Sequence, residues 1–425
     1  FLDDAGEWMD QTKQFNSSAD VSPTAAQMPR LLGLAQASKL YRSLPEVAKK
    51  NARFTNQGNE IAVGTIGDAA TSEGPFWETM NAACVLQVPM LMNVWDDGYG
   101  ISVPKEFQTT KASISQALRG MEIQSGTNGM VIYQVKGWDY PYLVATYEAA
   151  EKRCREEHVP VLVHVEDLTQ PQGHSTSGSH ERYKSAERMA WAKEYDCIEQ
   201  FGLFLILEGA STADELSAIR KESKKLVREE QKVAWASFRA PIEQELSDVL
   251  ALLVPLEGAD GPLGASLKEA INPGRAEIHA AVRRMLQASI GDLSPERQTL
   301  QDWSDSFAAE NRTRYSEHLY SDGADSALEV VPVAAMVDEG APLVDGRQVL
   351  QQNFEVLFEK YPELVTFGED TGKIGGVNQV MEGMQDKFGE VRVSDTGIRE
   401  CTIAGQGIGL SMRGFRPIAE IQYLD

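Results

Sequence analysis

Two short apolar runs, each ending in an acidic turn, constrain what this chain can fold into. Residues 61–66 close on Gly67-Asp68, residues 90–95 close on Asp96-Asp97-Gly98, and residues 76–86 between them carry a helical pattern. A strand–helix–strand unit of this kind runs its strands parallel and brings both acidic turns to the carboxyl edge of the sheet, where ligands bind in open α/β folds. Asp97 follows Asp68 by 29 residues (97 − 68). Two hard carboxylate oxygens beside small residues and a loop suit a Mg²⁺ that carries a diphosphate. Taken singly, Asp68 can equally cap the helix that follows it.

The rest of the chain divides into three regions, and at 425 residues it exceeds one ordinary core. Residues 1–184 alternate strand and helix patterns, which implies a mostly parallel, doubly wound sheet. Residues 185–342 lose the strand signals and read as a charged helical connector, with Gly/Pro/Asp punctuation at 257–264 and 322–325. From residue 343 the α/β pattern returns and continues to residue 425. The expected architecture is α/β, with two doubly wound parallel-sheet units joined by helices. A net charge of −23 argues against nucleic acid and anionic membrane as partners. Cys84, Cys154, Cys197 and Cys401 are scattered without metal-like spacing, which fits reduced thiols and a cytoplasmic setting. No run approaches the roughly 18 apolar residues of a spanning helix. The chain opens on Phe1 and closes just after an apolar strand, as a fragment of a longer polypeptide would.

Gly67-Asp68-Ala69-Ala70-Thr71-Ser72-Glu73-Gly74, followed by Asp96-Asp97-Gly98-Tyr99-Gly100-Ile101-Ser102, resembles the thiamine diphosphate signature. More specifically, it resembles the α part of the decarboxylating first component of 2-oxo acid dehydrogenase complexes. Phe367-Gly-Glu-Asp370, Asp395-Thr-Gly-Ile-Arg-Glu400 and Arg416-Pro-Ile-Ala-Glu-Ile-Gln422 resemble the β part of the same family. The resemblance covers about residues 15–200 and 343–425 and implies two thiamine-diphosphate-type units fused in one chain. Two departures stand out: Ala69 replaces a glycine, and Asp96-Asp97 replace a pair of asparagines.

What the resemblance implies can be placed residue by residue. Asp68, Asp97 and the Tyr99 carbonyl would bind Mg²⁺; Gly67, Ala69 and Ala70 would line the diphosphate turn. Ser22 and Thr24 would touch the aminopyrimidine. Ile101 would bend the cofactor, although an ordinary core isoleucine is a comparable reading. Glu400 would hydrogen-bond the pyrimidine and activate the cofactor, with Glu369 at a cofactor-proximal strand end; a helix-start acid is the alternative for Glu400. His174, heading the loop Gly173-His-Ser-Thr-Ser177, would move protons near substrate; a surface turn is the plainer reading. Gly137-Trp138-Asp139 reads equally as an N-cap at Asp139 or a structural element near the diphosphate. Gly405-Gln-Gly-Ile-Gly409 lies inside a helix, so it fails the context of a dinucleotide fingerprint and suits close helix packing. The implied activity is oxidative decarboxylation of a 2-oxo acid, branched-chain acids first and pyruvate second, with the thiazolium as electron sink. The acyl group would pass to the lipoyl arm of an acyltransferase second component, and the fused chain would form its sites as a homodimer. A transketolase-like enzyme and a non-catalytic assembly subunit are the other readings.

Overall fold

The computed structural model describes residues 1–3, 7–18, 21, 23–174, 179–316 and 326–423. The chain begins with α1 (Met28–Ser43) and α2 (Pro45–Lys50), followed by β1 (Ala62–Gly67), α3 (Gly74–Leu86) and β2 (Met90–Trp95). A tight hairpin, β3 (Tyr99–Gly100) and β4 (Val103–Pro104), leads to α4 (Ile114–Ala117), β5 (Val131–Lys136), α5 (Tyr140–Glu157) and β6 (Val161–Glu166). Helices α6 (Ala186–Glu194), α7 (Cys197–Leu207), α8 (Ala213–Glu257), α9 (Pro262–Glu269), α10 (Arg275–Ala288) and α11 (Pro295–Ser316) come next. The last stretch holds α12 (Gly346–Lys360), β7 (Leu364–Gly368), α13 (Met384–Phe388), β8 (Val393–Asp395), α14 (Glu400–Met412) and β9 (Arg416–Ala419).

Both main sheets are parallel, in the orders β1-β2-β6-β5 and β8-β7-β9. The central strands β2 and β6 are apolar almost throughout because helices cover both faces of such a sheet. Phe76 and Met80 of α3 bury completely against Met90, Met92 and Val94. Pro75 starts α3 without losing an intrahelical bond, and the Asp139 carboxylate caps α5 by accepting the Tyr142 N–H at 3.2 Å. The N-cap reading of Asp139 is therefore the observed one.

Helix α1 crosses α14 at backbone distance. A Cβ on Gly33 would lie 2.0 Å from the Gln406 carbonyl oxygen, one on Gly409 2.2 Å from that of Arg30, and one on Gly405 2.3 Å from Pro29 Cβ. The glycines therefore pack two helices, as the helical context of residues 405–409 suggests. Around this crossing Gln406 Nε2 donates to Gln36 Oε1 at 2.6 Å. The buried Arg413 guanidinium donates to Glu60 (2.9 Å), to the Leu34 carbonyl (3.2 Å) and to Ser38 (3.3 Å).

Compactness divides the chain differently from the sequence pattern. One unit comprises Phe1–Ser211 with Pro342–Asp425, the other Thr212–Ala341. The two expected α/β regions share one unit because α1 and α14 interlock. Residues 185–211 join it too, since α7 lies on α5 with the Tyr140 and Phe201 rings 4.4 Å apart. The second unit is helical. Its 45-residue α8 starts at a Thr212/Glu215 capping box, and Ile242, Val249 and Leu253 bury against α9, α10 and α11.

Substituting Gly409→Val should lower stability by roughly 1–3 kcal/mol or more, because neither backbone can yield. Gly346→Ala, whose added methyl meets open space, should leave the denaturation midpoint nearly unchanged. Half-buried His158, in the left-handed C-cap of α5, is depressed from 6.5 to about 4 by burial and by the Arg42 charge. A depressed histidine binds its proton in the unfolded chain first, so stability should fall as pH drops from 6.5 toward 4. Denaturant titrations of wild type and His158→Asn across that window should show a shallower decline in the variant.

Candidate active site

The register of β1 and β2 builds the site. Gly67 stands opposite Trp95, and the Asp68 N–H donates to the Trp95 carbonyl at 3.0 Å, so Asp68 and Asp96-Asp97 leave the sheet edge side by side. Asp68 precedes a 3-10 turn over Ala69–Ser72 but makes no side-chain cap bond. Its Oδ2 is buried without a hydrogen-bond partner. Burial, with the Asp96 and Asp97 charges, pushes its carboxyl up to about 7. A buried, unpartnered carboxylate oxygen beside another carboxylate is the arrangement a divalent cation relieves. Open space next to Gly67 and Gly98 leaves room for a diphosphate against the backbone.

The two aspartates of the second turn have different surroundings. Asp96 is buried: its Oδ1 accepts the Gly98 N–H at 2.8 Å, and its Oδ2 lies 2.9 Å from Lys105 Nζ and 3.1 Å from His164 Nε2. Burial raises the carboxyl, but the His164 and Lys105 bonds and charges outweigh it and hold Asp96 at about 2. Asp97 accepts the Tyr99 N–H at 3.2 Å and Gln170 Nε2 at 2.9 Å. Burial raises its carboxyl above the ordinary range, opposed by the Tyr99 N–H and the Lys184 and Arg188 charges. Among the described residues no trio of His, Cys, Asp and Glu side chains converges on a metal position. Asp68 and Asp97 with the Tyr99 carbonyl nonetheless fit Mg²⁺, which binds through one or two carboxylates plus phosphate oxygens and waters.

Ile101 is not a core residue. It is 49% exposed at the tip of the β3–β4 hairpin with φ +59°, a conformation a β-branched side chain adopts only when held there. Thr24 is exposed in the turn before α1, and Ser22 lies outside the described residues. His174 is exposed in the loop after β6, and residues 175–178 of that loop lie outside the described residues.

Glu400 opens α14 and is exposed, whereas its neighbour Arg399 is buried. Burial pushes the Glu369 carboxyl up, and the Glu400 carboxylate beside it adds to the shift. The start of α14 also meets α3: Thr402 Oγ1 donates to Glu78 Oε2 at 2.5 Å, and burial lowers Arg399 to about 10 against the Glu78 charge. Asp68 therefore groups with Asp96 and Asp97, and Glu369 with Glu400. Among the described residues no hydrogen bond joins the two groups. Reasoning from sequence missed His164, Lys105, Gln170, Lys184 and Arg188. Only His164 had a signal, as one polar residue in the apolar run 159–165.

The fold is thus a parallel α/β sheet with an acidic turn at its carboxyl edge, and a second parallel sheet with two neighbouring glutamates at its own. The model of the family "Dehydrogenase E1 component" matches residues 5–243, more than half of the chain, and the chain belongs to that family. Residues 343–425 match the transketolase pyrimidine-binding domain, so both regions are present in one polypeptide. Among relatives, the pyruvate dehydrogenase E1 component subunit beta of Acholeplasma laidlawii is 45% identical over 76 residues, 18% of this chain and 23% of that protein. The 2-oxoisovalerate dehydrogenase subunit beta of Pseudomonas aeruginosa is 40% identical over 78 residues, 18% of this chain and 22% of that protein. The chain thus spans less than a quarter of these relatives. Among solved structures, the transketolase of Leishmania mexicana covers 93% of this chain with 47% of its own at 13% identity, with a TM-score of 0.40, too distant to inform fold or function.

Proposed function

We propose that the chain supplies the cofactor-binding halves of a thiamine diphosphate-dependent 2-oxo acid dehydrogenase, acting on branched-chain 2-oxo acids. The carrying observation is the unpartnered, buried Asp68 Oδ2 at the sheet edge, where the Asp97 charge also acts on it. In this reading Asp68, Asp97 and the Tyr99 carbonyl hold Mg²⁺ and, through it, the diphosphate, with Gly67, Ala69 and Ala70 forming the turn beneath. Ser22 and Thr24 contact the aminopyrimidine, and the strained Ile101 supports it from the hairpin tip. When bound, thiamine diphosphate supplies an electron sink for loss of carbon dioxide. Glu400 hydrogen-bonds the pyrimidine ring nitrogen, with Glu369 beside it at a cofactor-proximal strand end. His174, exposed after β6, moves a proton at the substrate oxygen.

The exposure of Glu400 supports a site completed by a second copy of the chain, hence a homodimer. The acyl product passes to the lipoyl group of an acyltransferase component. Branched-chain substrates are preferred because the Ser22-Pro23 turn and the His174-Ser-Thr-Ser run resemble that branch. Pyruvate is the second reading, favoured by the similarity to pyruvate dehydrogenase beta subunits. Among the described residues no helix is long and apolar enough to cross a membrane, and a cytoplasmic setting is part of this reading.

Asp68→Ala should weaken Mg²⁺-dependent thiamine diphosphate binding by at least the roughly 100-fold that loss of even an outer-shell contact can cost, as calorimetry would read. Binding unchanged in that variant would defeat the metal assignment. Glu400→Gln should lower decarboxylation by about 10²–10⁴-fold with cofactor affinity little changed. Rates with an artificial electron acceptor, compared across 2-oxoisovalerate, pyruvate and 2-oxoglutarate, should rank the branched-chain acid first; a higher rate with pyruvate would select the second reading.

A further inference from the structure

The turn after β2 carries one more charge than the proposed metal site uses. Asp96 stands at the strand end beside Asp68 and is only 2% exposed, so its carboxylate, left alone, would face the same space as Asp68 and Asp97. The hairpin prevents that. Tyr99 pairs with Pro104 and Gly100 with Val103, and the left-handed Ile101 turns the chain back at the tip. The Lys105 N–H then donates to the Gly98 carbonyl at 3.0 Å, and its Nζ reaches Asp96 Oδ2 at 2.9 Å. From the sheet side, His164 Nε2 sits 3.1 Å from the same oxygen, and its Nδ1 is 2.9 Å from Ser115 Oγ, which accepts Gln134 Nε2 at 2.6 Å. The Gly98 N–H occupies the other oxygen at 2.8 Å. Three donors therefore take up both oxygens of one aspartate, while Asp68 Oδ2 beside it has none.

Resting on the function proposed above, we infer that Lys105 is a positioning residue for cofactor binding. It clamps the Asp96 carboxylate onto His164, so that the loop presents Asp68 and Asp97 to the metal and no third carboxylate to the diphosphate. The strained hairpin tip serves the same end, because only a tight return brings Lys105 back over Asp96. This also accounts for the acidic pair standing where the family has amides: the first acid is neutralised inside the protein and the second faces the site.

The test is calorimetric titration of the protein with thiamine diphosphate at saturating Mg²⁺, with thermal unfolding recorded for each variant. Lys105→Met releases the clamped charge and should weaken binding by about tenfold or more, the scale of one uncompensated like charge. Lys105→Met combined with Asp96→Asn should recover wild-type affinity, because the released charge is gone; Lys105→Arg should bind like wild type. A merely structural lysine would not be rescued by removing its partner's charge. If Lys105→Met does not fold, Lys105→Gln with and without Asp96→Asn gives the same comparison. Wild-type affinity in the folded lysine variant, or no recovery in the double variant, overturns this inference alone. Failure of the wild-type protein to bind overturns the proposed function with it.

Discussion

The crossing of α1 with α14 is the contact on which the rest of this structure depends. Gly33, Gly405 and Gly409 bring two backbones to distances that no side chain allows, and the crossing joins a helix from the first α/β region to one near the end of the chain. Apolar burial alone would hold two helices at ordinary spacing with freedom to slide. Here the buried Arg413, bound to Glu60, Ser38 and the Leu34 carbonyl, adds directional bonds whose loss would leave charges stranded. The crossing thereby fixes where α14 begins, and its first turn reaches Glu78 of α3 through Thr402. Glu400 at that turn and the Asp68 turn ahead of α3 are thus tied to one framework.

Around the sheet edge, the electrostatics follow from burial with unequal compensation. Asp68, Asp96 and Asp97 all lose water, yet only Asp96 has Lys105 and His164 bonded directly to its carboxylate. It is held low, and the other two are pushed up. A cluster with unmet negative charge stores the cost of its own formation until a cation arrives. Under the proposed function, that cation is the metal carrying the diphosphate.

Much of the fold was legible because its signals are local. Apolar runs of strand length, Pro75 at a helix start, Asp139 as a cap and the glycine punctuation after β1 and β2 each act within a few residues. The expected helix over 76–86 falls within α3. The placing of Asp68 and Asp97 at one sheet edge was also readable, since parallel strands of equal length in register end together. The division into compact units was not: the pattern change near residue 185 marks where strands stop, but α7 still packs on α5 through aromatic rings. Nothing local distinguishes a helix that stays with its sheet from one that leaves it.

The sequence by itself determined the family, the two parallel α/β regions and the aspartates at the strand ends, because strand period, turn chemistry and motif spacing are properties of neighbouring residues. Only the tertiary structure decided which of the two adjacent acids is sequestered. Asp96 and Asp97 are adjacent and chemically identical in the sequence. They differ because His164, 68 residues away, and Lys105, brought back by the hairpin, both reach Asp96. Which carboxylate is held by a cation and a histidine is a matter of three-dimensional supply, and a linear pattern does not encode that supply.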